Sequence, residues 1–236
     1  MDAAQEHSQS VRGLIPVWVA KPLLALTGLF MVAFVAIHML GNLKILIDPD
    51  SMDAYAAWLR ELLVPLMPYE GALWIFRILL LLAIFTHILC ALALKASALR
   101  TRTPGAGGMH ARRILASAML PTGILLAILI VLHILDLTLG VIVASATFRP
   151  PDPAFHAAAN VLASLSRPLA GAGYALFLIA LGLHLFHGIG LAVKDLGLTG
   201  RRGLRIAEII GAGIAIAIVL GDGAVLCYSL MKGLAP

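Results

Sequence analysis

Five of the eight histidines lie within long apolar stretches, where an imidazole ring costs free energy unless it has a partner. An imidazole in that setting can bind a metal, relay protons or make a structural hydrogen bond. Any of these roles would explain one histidine, but five spread over four apolar segments indicate a shared cause. The five are His38, His87, His133, His184 and His187. The others, interpreted as solvated because they lie in polar segments, are His7, His110 and His156.

The segments that carry these histidines are long enough to cross a membrane, whose apolar core needs about 20 helical residues. Of the 236 residues, 61% are hydrophobic and 12% charged, against roughly 45–50% and about 25% in a soluble domain. The sequence therefore predicts an all-α polytopic membrane protein, with 1–236 forming one membrane domain that begins with a polar segment, 1–21. The five transmembrane helices are predicted at 22–47, 71–94, 114–146, 169–193 and 206–230.

The charged residues of the loops predict how the helices cross the membrane. Loops 95–113 and 194–205 are strongly basic, whereas loops 48–70 and 147–168 hold six of the twelve acids. Because basic loops stay in the cytoplasm, the N-terminus is expected inside and the C-terminus outside. The net charge of +5 then reflects loops at the membrane, and nucleic acid explains it poorly. Short interfacial helices are expected at 52–66, with Tyr55 and Trp58 at headgroup depth, and at 153–165.

Four of the intramembrane histidines form two pairs by depth, counted from the basic flanks at about 1.5 Å per residue. His38 and His133 lie 17 and 20 residues from Lys21 and Arg113, about 25–30 Å from the cytoplasmic flank. We call them the outer pair. His87 and His184, the inner pair, lie eight and ten residues from the next basic residue, about 12–15 Å from the same flank.

Two histidine pairs at two depths fit two stacked b-type haems with axial imidazole ligands. Covalent haem is excluded because Cys90 and Cys227 form no C-x-x-C-H motif. Zinc fits less well, because it needs three or four ligands at one depth. A proton relay explains the pairing less well, and an iron–sulfur centre at His184 and His187 lacks two converging cysteines.

An internal repeat accompanies the outer pair. Thr27-Gly28 precedes His38 by the same spacing with which Thr122-Gly123 precedes His133. Each glycine leaves a surface without a side chain, against which a flat group can lie.

Several fragments along nearly the whole chain carry a resemblance to a known family. They are Leu26-Thr27-Gly28-Leu29-Phe30, His38-Met39-Leu40-Gly41-Asn42-Leu43, Ala54-Tyr55, Leu73-Trp74-Ile75 with Arg77, His133-Ile134-Leu135-Asp136-Leu137-Thr138, His184-Leu185-Phe186-His187-Gly188 and Leu196-Gly197. Together they resemble the cytochrome b membrane anchor of succinate dehydrogenases and quinol:fumarate reductases, of the single-subunit, five-helix, two-haem type.

This resemblance implies a subunit of respiratory complex II in a prokaryotic cytoplasmic membrane, serving the tricarboxylic acid cycle or fumarate respiration. His38 and His133 would ligate the iron of an outer haem b, and His87 and His184 that of an inner haem b. Electrons would pass between a quinone, usually menaquinone in this type, and an iron–sulfur subunit docked on the cytoplasmic face. A flavoprotein subunit with FAD would carry the dicarboxylate chemistry, so no catalytic residue for it is expected here. Direction and higher oligomers of the complex are left open.

On the fourth helix the resemblance favours His184 over His187 as the ligand, because His184 is followed by Gly188 and Gly197 as in the family pattern. His187 then supports the haem or lines a quinone site, or packs as a structural residue. Some members carry a glutamate two residues before this ligand, and here Gly182 stands in its place. A proton route that needs this carboxylate is in doubt.

Several other polar residues, most of them near the predicted outer face, have more than one possible role. Arg77 can pair with Glu70 or Asp136, contact a haem propionate, or extend to the interface. Glu70 can accept a proton from a quinol, although an acid at a helix N-terminus explains it better. Asp136 can orient a neighbouring ligand. Asn42 and Ser117 can line a quinone pocket or join helices.

A different class of function is a non-redox membrane transporter or proton channel whose histidines titrate near neutral pH. Transporters commonly show inverted repeats and broken helices near the midplane. Here both repeated segments run in the same direction, which makes this alternative weaker.

Overall fold

The computed structural model describes residues 15–100, 110–150 and 155–234. This part of the chain contains helices and no strand. The predicted N-terminal segment and the basic loop therefore lie largely outside the described residues. In chain order the helices are α1 (Val17–Asn42), α2 (Pro49–Glu61), α3 (Gly71–Arg100), α4 (His110–His133), α5 (Ala157–Leu165), α6 (Pro168–Asp195) and α7 (Arg201–Leu234).

Five of these helices, α1, α3, α4, α6 and α7, are long and apolar enough to cross a membrane. Large apolar side chains are exposed along all five, as expected for helices whose outer faces contact lipid. The predicted fold class, an all-α multi-pass membrane protein with five spans, is confirmed at this level.

The third span ends earlier than its hydropathy predicts. Helix α4 continues as a single π-helical turn, Ile134–Thr138, and no helix follows up to residue 146. Gly140 adopts a left-handed conformation with φ of 66°, and a Cβ at this position would lie 2.1 Å from the Phe148 ring. The predicted end at 146 is therefore wrong, because the chain turns while its residues remain apolar.

Two short helices join the long ones at the end of the bundle that carries the outer pair. Helix α2 starts at Pro49, as proline favours the first helical turn, and it ends at Glu61 rather than at the predicted residue 66. Leu63 has a φ of 67°, which is incompatible with a continuing helix. Helix α5 confirms most of the second prediction, and its Ala158 N–H donates to Asp53 Oδ1 over 2.9 Å.

Small residues allow the long helices to approach closely. At Gly221 of α7 a Cβ would lie 2.5 Å from Met39 Sδ of α1, so this contact requires glycine. A buried apolar cluster joins α1, α6 and α7 around the same point. Its members are Met39, Leu185, Ile189, Ala215 and Ile218.

Candidate functional site

The structure brings the two histidines of the outer pair together. His38 on α1 and His133 on α4 have ring centroids 5.9 Å apart and ring planes at 79°. Phe34, one turn before His38, stacks on its ring at 5.5 Å, and Phe177 of α6 lies 6.1 Å from the His133 ring. One phenylalanine ring thus packs against each histidine of this pair.

The two histidines of the inner pair also face each other. His87 on α3 and His184 on α6 have ring centroids 6.4 Å apart and ring planes at 61°. Within the described residues, the ring that faces His87 is therefore that of His184. His187 lies one turn further along α6 and interacts electrostatically with Lys194 and Glu208. These two residues form an ion pair at 2.9 Å.

These separations suit two imidazoles that bind one metal ion from opposite sides. With a metal–nitrogen distance of about 2.0–2.1 Å, such rings have centroids roughly 6 Å apart. Two rings in direct edge contact have centroids about 4.5–7 Å apart, so the separation alone fits both arrangements. A further criterion is the partner of the ring nitrogen that does not face the other ring. A metal-binding histidine typically donates the N–H of that nitrogen to a fixed acceptor.

Each histidine of the inner pair has such a partner on its Nδ1 atom. His87 Nδ1 lies 3.2 Å from the Leu24 carbonyl oxygen and 3.2 Å from Thr27 Oγ1. A carbonyl oxygen only accepts, so His87 Nδ1 carries the proton and Nε2 carries the free lone pair. His184 Nδ1 lies 3.1 Å from Thr122 Oγ1.

The repeated Thr-Gly motif contacts the inner pair, although it lies on the helices that carry the outer pair. A Cβ at Gly28 would lie 3.2 Å from His87 Cε1, and a Cβ at Gly123 would lie 3.5 Å from His184 Cε1. The flat group beside each glycine is thus an imidazole ring of the neighbouring helix.

A buried polar network adjoins the outer pair at His133. Tyr174 Oη donates to Asp136 Oδ2 over 3.0 Å and lies 3.5 Å from His133 Nδ1. Asp136 is only 4% exposed, accepts a hydrogen bond from Ser164 Oγ, and forms an ion pair with Arg167 at 3.0 Å. The expected orienting role of Asp136 therefore reaches His133 through Tyr174, and its cationic partner is Arg167 rather than Arg77.

Asp222 of α7 is a site residue that the sequence reasoning missed. Its Oδ1 accepts the Asn42 Nδ2 hydrogen over 3.0 Å, and its carboxylate interacts electrostatically with His38. The available signal was an acid within an otherwise apolar span, which is costly in a membrane and commonly functional. Asn42 thus joins two helices, one of its two expected roles.

Glu70 and Arg77 belong to an ion-pair cluster at the start of α3. Glu70 pairs with Arg60 at 2.8 Å and with Arg77 at 3.9 Å. The Arg77 guanidinium also lies 4.7 Å from the Trp74 ring centroid. Of the interactions predicted for Arg77, the structure contains the ion pair with Glu70.

Within residues 15–100, 110–150 and 155–234, no group of three or more His, Cys, Asp or Glu side chains could bind a metal ion together. The histidines that meet do so in twos. Comparisons with protein-family models, curated proteins and solved structures found no match for this chain.

Proposed function

We propose that this chain is a dihaem cytochrome b that anchors a succinate:quinone or quinol:fumarate oxidoreductase in a prokaryotic cytoplasmic membrane. The observation that carries the proposal is the presence of two histidine pairs on two different helix pairs, with ring centroids 5.9 and 6.4 Å apart. Each pair would hold one haem iron through its imidazole nitrogens, and in the inner pair each Nδ1 has a hydrogen-bond partner as a metal-binding histidine requires.

In this proposal the chain's residues hold and orient the redox groups. His38 with His133 and His87 with His184 would each hold one haem iron, and the haem would supply a one-electron Fe(III)/Fe(II) couple. Phe34 and Phe177 would add apolar contacts to the outer pair. Two sites at different depths would carry electrons stepwise across the bundle.

The proposed orientation places the inner pair towards the cytoplasm, where Lys95 and Lys194 follow its two histidines. The N-terminus would lie inside and the C-terminus outside. An iron–sulfur subunit would dock on the cytoplasmic face, and it would carry a flavoprotein with FAD that performs the dicarboxylate chemistry. A quinone, which the family resemblance implies is menaquinone, would exchange electrons with the chain.

The direct test is the haem content of the purified chain by pyridine haemochrome, with a dithionite-reduced minus oxidised spectrum. We expect two b haems per chain, and two again in a His156→Ala control, whose histidine lies in the polar segment before α5. A chain without haem would refute the proposal and favour the transporter or channel with titrating histidines.

A second test addresses the partners. Purified from its native membrane in mild detergent, the chain should retain a subunit with FAD and one with iron–sulfur clusters. Succinate should then reduce the haems. Two haems without such partners, and without succinate-dependent reduction, would support the cytochrome but refute its role in this oxidoreductase.

A further inference from the structure

We infer that Thr27 and Thr122 are positioning residues for the inner pair, each holding the histidine of the neighbouring helix with its Nε2 lone pair turned towards the partner ring. The inference rests on the proposed function, since it assigns a role in holding haem ligands. It follows from the hydrogen bonds that each threonine makes to its own helix.

A threonine hydroxyl has one proton to donate, and in both residues that proton has a nearby acceptor. Thr122 Oγ1 lies 2.7 Å from the Ala118 carbonyl oxygen and 3.2 Å from that of Met119. Carbonyl oxygens only accept, so the hydroxyl proton points along its own helix. The lone pairs of Thr122 Oγ1 then remain for His184.

The proton in the bond between Thr122 and His184 therefore comes from the imidazole. His184 Nδ1 lies 3.1 Å from Thr122 Oγ1 and donates to it, so Nε2 carries the lone pair that a metal requires. Thr27 repeats this arrangement, since its Oγ1 lies 2.6 Å from the Leu23 carbonyl oxygen and 3.2 Å from His87 Nδ1.

The glycine after each threonine lies against the same ring, and at Gly28 it also supplies clearance. Gly28 admits the Cε1 edge of His87 where a Cβ would lie 3.2 Å away, closer than ordinary van der Waals contact. At Gly123 a Cβ would lie 3.5 Å from His184 Cε1, which is ordinary van der Waals contact. The shared element of the two motifs is therefore the threonine that accepts a hydrogen bond from the ring. Because the motif occurs on α1 and α4, it serves both ligands of one pair.

The two Thr-Gly motifs differ in the number of acceptors that their histidine has, and this difference makes the inference testable. His87 Nδ1 has a second acceptor, the Leu24 carbonyl oxygen at 3.2 Å, whereas the described hydrogen bond of His184 Nδ1 is to Thr122 alone. Among the residues that the structure describes, loss of the Thr122 hydroxyl leaves the His184 Nδ1–H without an acceptor, whereas loss of the Thr27 hydroxyl leaves His87 with the Leu24 carbonyl oxygen. Thr122→Val should therefore have the larger effect.

The experiment compares Thr27→Val, Thr122→Val and Thr122→Ser, purified with their haems. The control is Thr86→Val, the same change beside His87 at a residue for which the described structure contains no hydrogen bond to either ring. The readouts are haem content, the low-spin EPR signals and the midpoint potentials of both haems. Removing an acceptor makes the imidazole a poorer electron donor to iron, so the inner potential should rise.

For Thr122→Val we expect a rise in the inner potential and about a tenfold loss in inner haem affinity, within the usual range for such supporting residues. The rise should be smaller in Thr27→Val and absent in Thr86→Val, with the outer signals unchanged throughout. Thr122→Ser restores the hydroxyl and should restore the wild-type values.

Two results would overturn the inference while the proposed function stands. One is a wild-type inner haem in both valine variants. The other is equal loss of both haems in Thr122→Val without rescue by serine, which would indicate a general packing role. A wild-type chain without haem would instead refute the proposed function, and the inference with it.

Discussion

The inner and outer histidine pairs have similar ring separations but different surroundings. The described Nδ1 partners of the inner pair are neutral, namely two threonine hydroxyls and one backbone carbonyl. Two carboxylates adjoin the outer pair. Asp136 reaches His133 through Tyr174, and Asp222 interacts with His38 from α7.

The two carboxylates are not equally compensated. Asp136 has the Arg167 guanidinium at 3.0 Å, whereas the described hydrogen bond of Asp222 comes from the neutral Asn42 amide. Under the proposed function, uncompensated negative charge favours ferric over ferrous iron, because the ferric haem carries one more positive charge. We therefore expect the outer haem to have the lower midpoint potential.

Removing single ligands has the largest expected effect on this comparison. His38→Ala and His133→Ala should each remove the outer haem, and His87→Ala and His184→Ala should each remove the inner one. Each variant should keep one haem per chain, assigned by redox titration of the α-band. If His133→Ala and His87→Ala removed the same haem, the assignment of ligands to two separate pairs would fail.

Asp136→Asn should destabilise the protein and disturb the outer pair alone. The buried carboxylate accepts from Ser164 and Tyr174 and pairs with Arg167, and its neutralisation leaves these groups poorly satisfied. We expect a loss of about 1–3 kcal/mol in stability, measured as a lower melting temperature in detergent.

The matched control for this change is Asp50→Asn, an exposed acid in the first turn of α2. It should melt like the wild type. An Asp136→Asn variant with wild-type stability and unchanged outer EPR signals would show that the network does not support His133.

Asp222→Asn keeps an oxygen that can accept from Asn42 and removes the carboxyl group that interacts with His38. The outer midpoint potential should rise by about 30–60 mV, up to a tenfold change in a one-electron equilibrium. The inner potential should stay constant. Equal shifts of both potentials would mean that the charge acts on the bundle as a whole, and would remove this contrast between the pairs.

His187→Ala should have the smallest effect, because the ring that faces His87 is that of His184. Two haems with wild-type spectra are expected. If His187→Ala lost the inner haem and His184→Ala retained it, His187 and not His184 would be the inner ligand on α6.

Much of the fold could be predicted because it depends on local properties of the chain. Hydropathy over about 20 residues identifies a span wherever it lies, and all five predicted spans correspond to helices. The errors lie at ends set by backbone turns, as at Gly140, where the apolar sequence continues but the helix does not. The pairing by depth also needed only the constant helical rise.

The partners of individual polar groups could not be predicted in the same way. Arg167 rather than Arg77 pairs with Asp136, because the π-helical turn and the start of α6 bring these two residues together. Thr27 contacts a histidine 60 residues away. Such contacts depend on the rotation of each helix about its axis, which the sequence of one helix does not specify.

The sequence by itself thus determined five apolar helices, the position of each histidine along its helix and the repeated Thr-Gly motif, since these follow from composition and regular helix geometry. Only the tertiary structure decided that the paired rings contact each other, which threonine holds which histidine, and that Asp222 interacts with His38. The physical reason is that close packing at small residues such as Gly28 and Gly221 sets helix neighbours and rotations. Those contacts join residues far apart in the chain, so they form only when the whole bundle assembles.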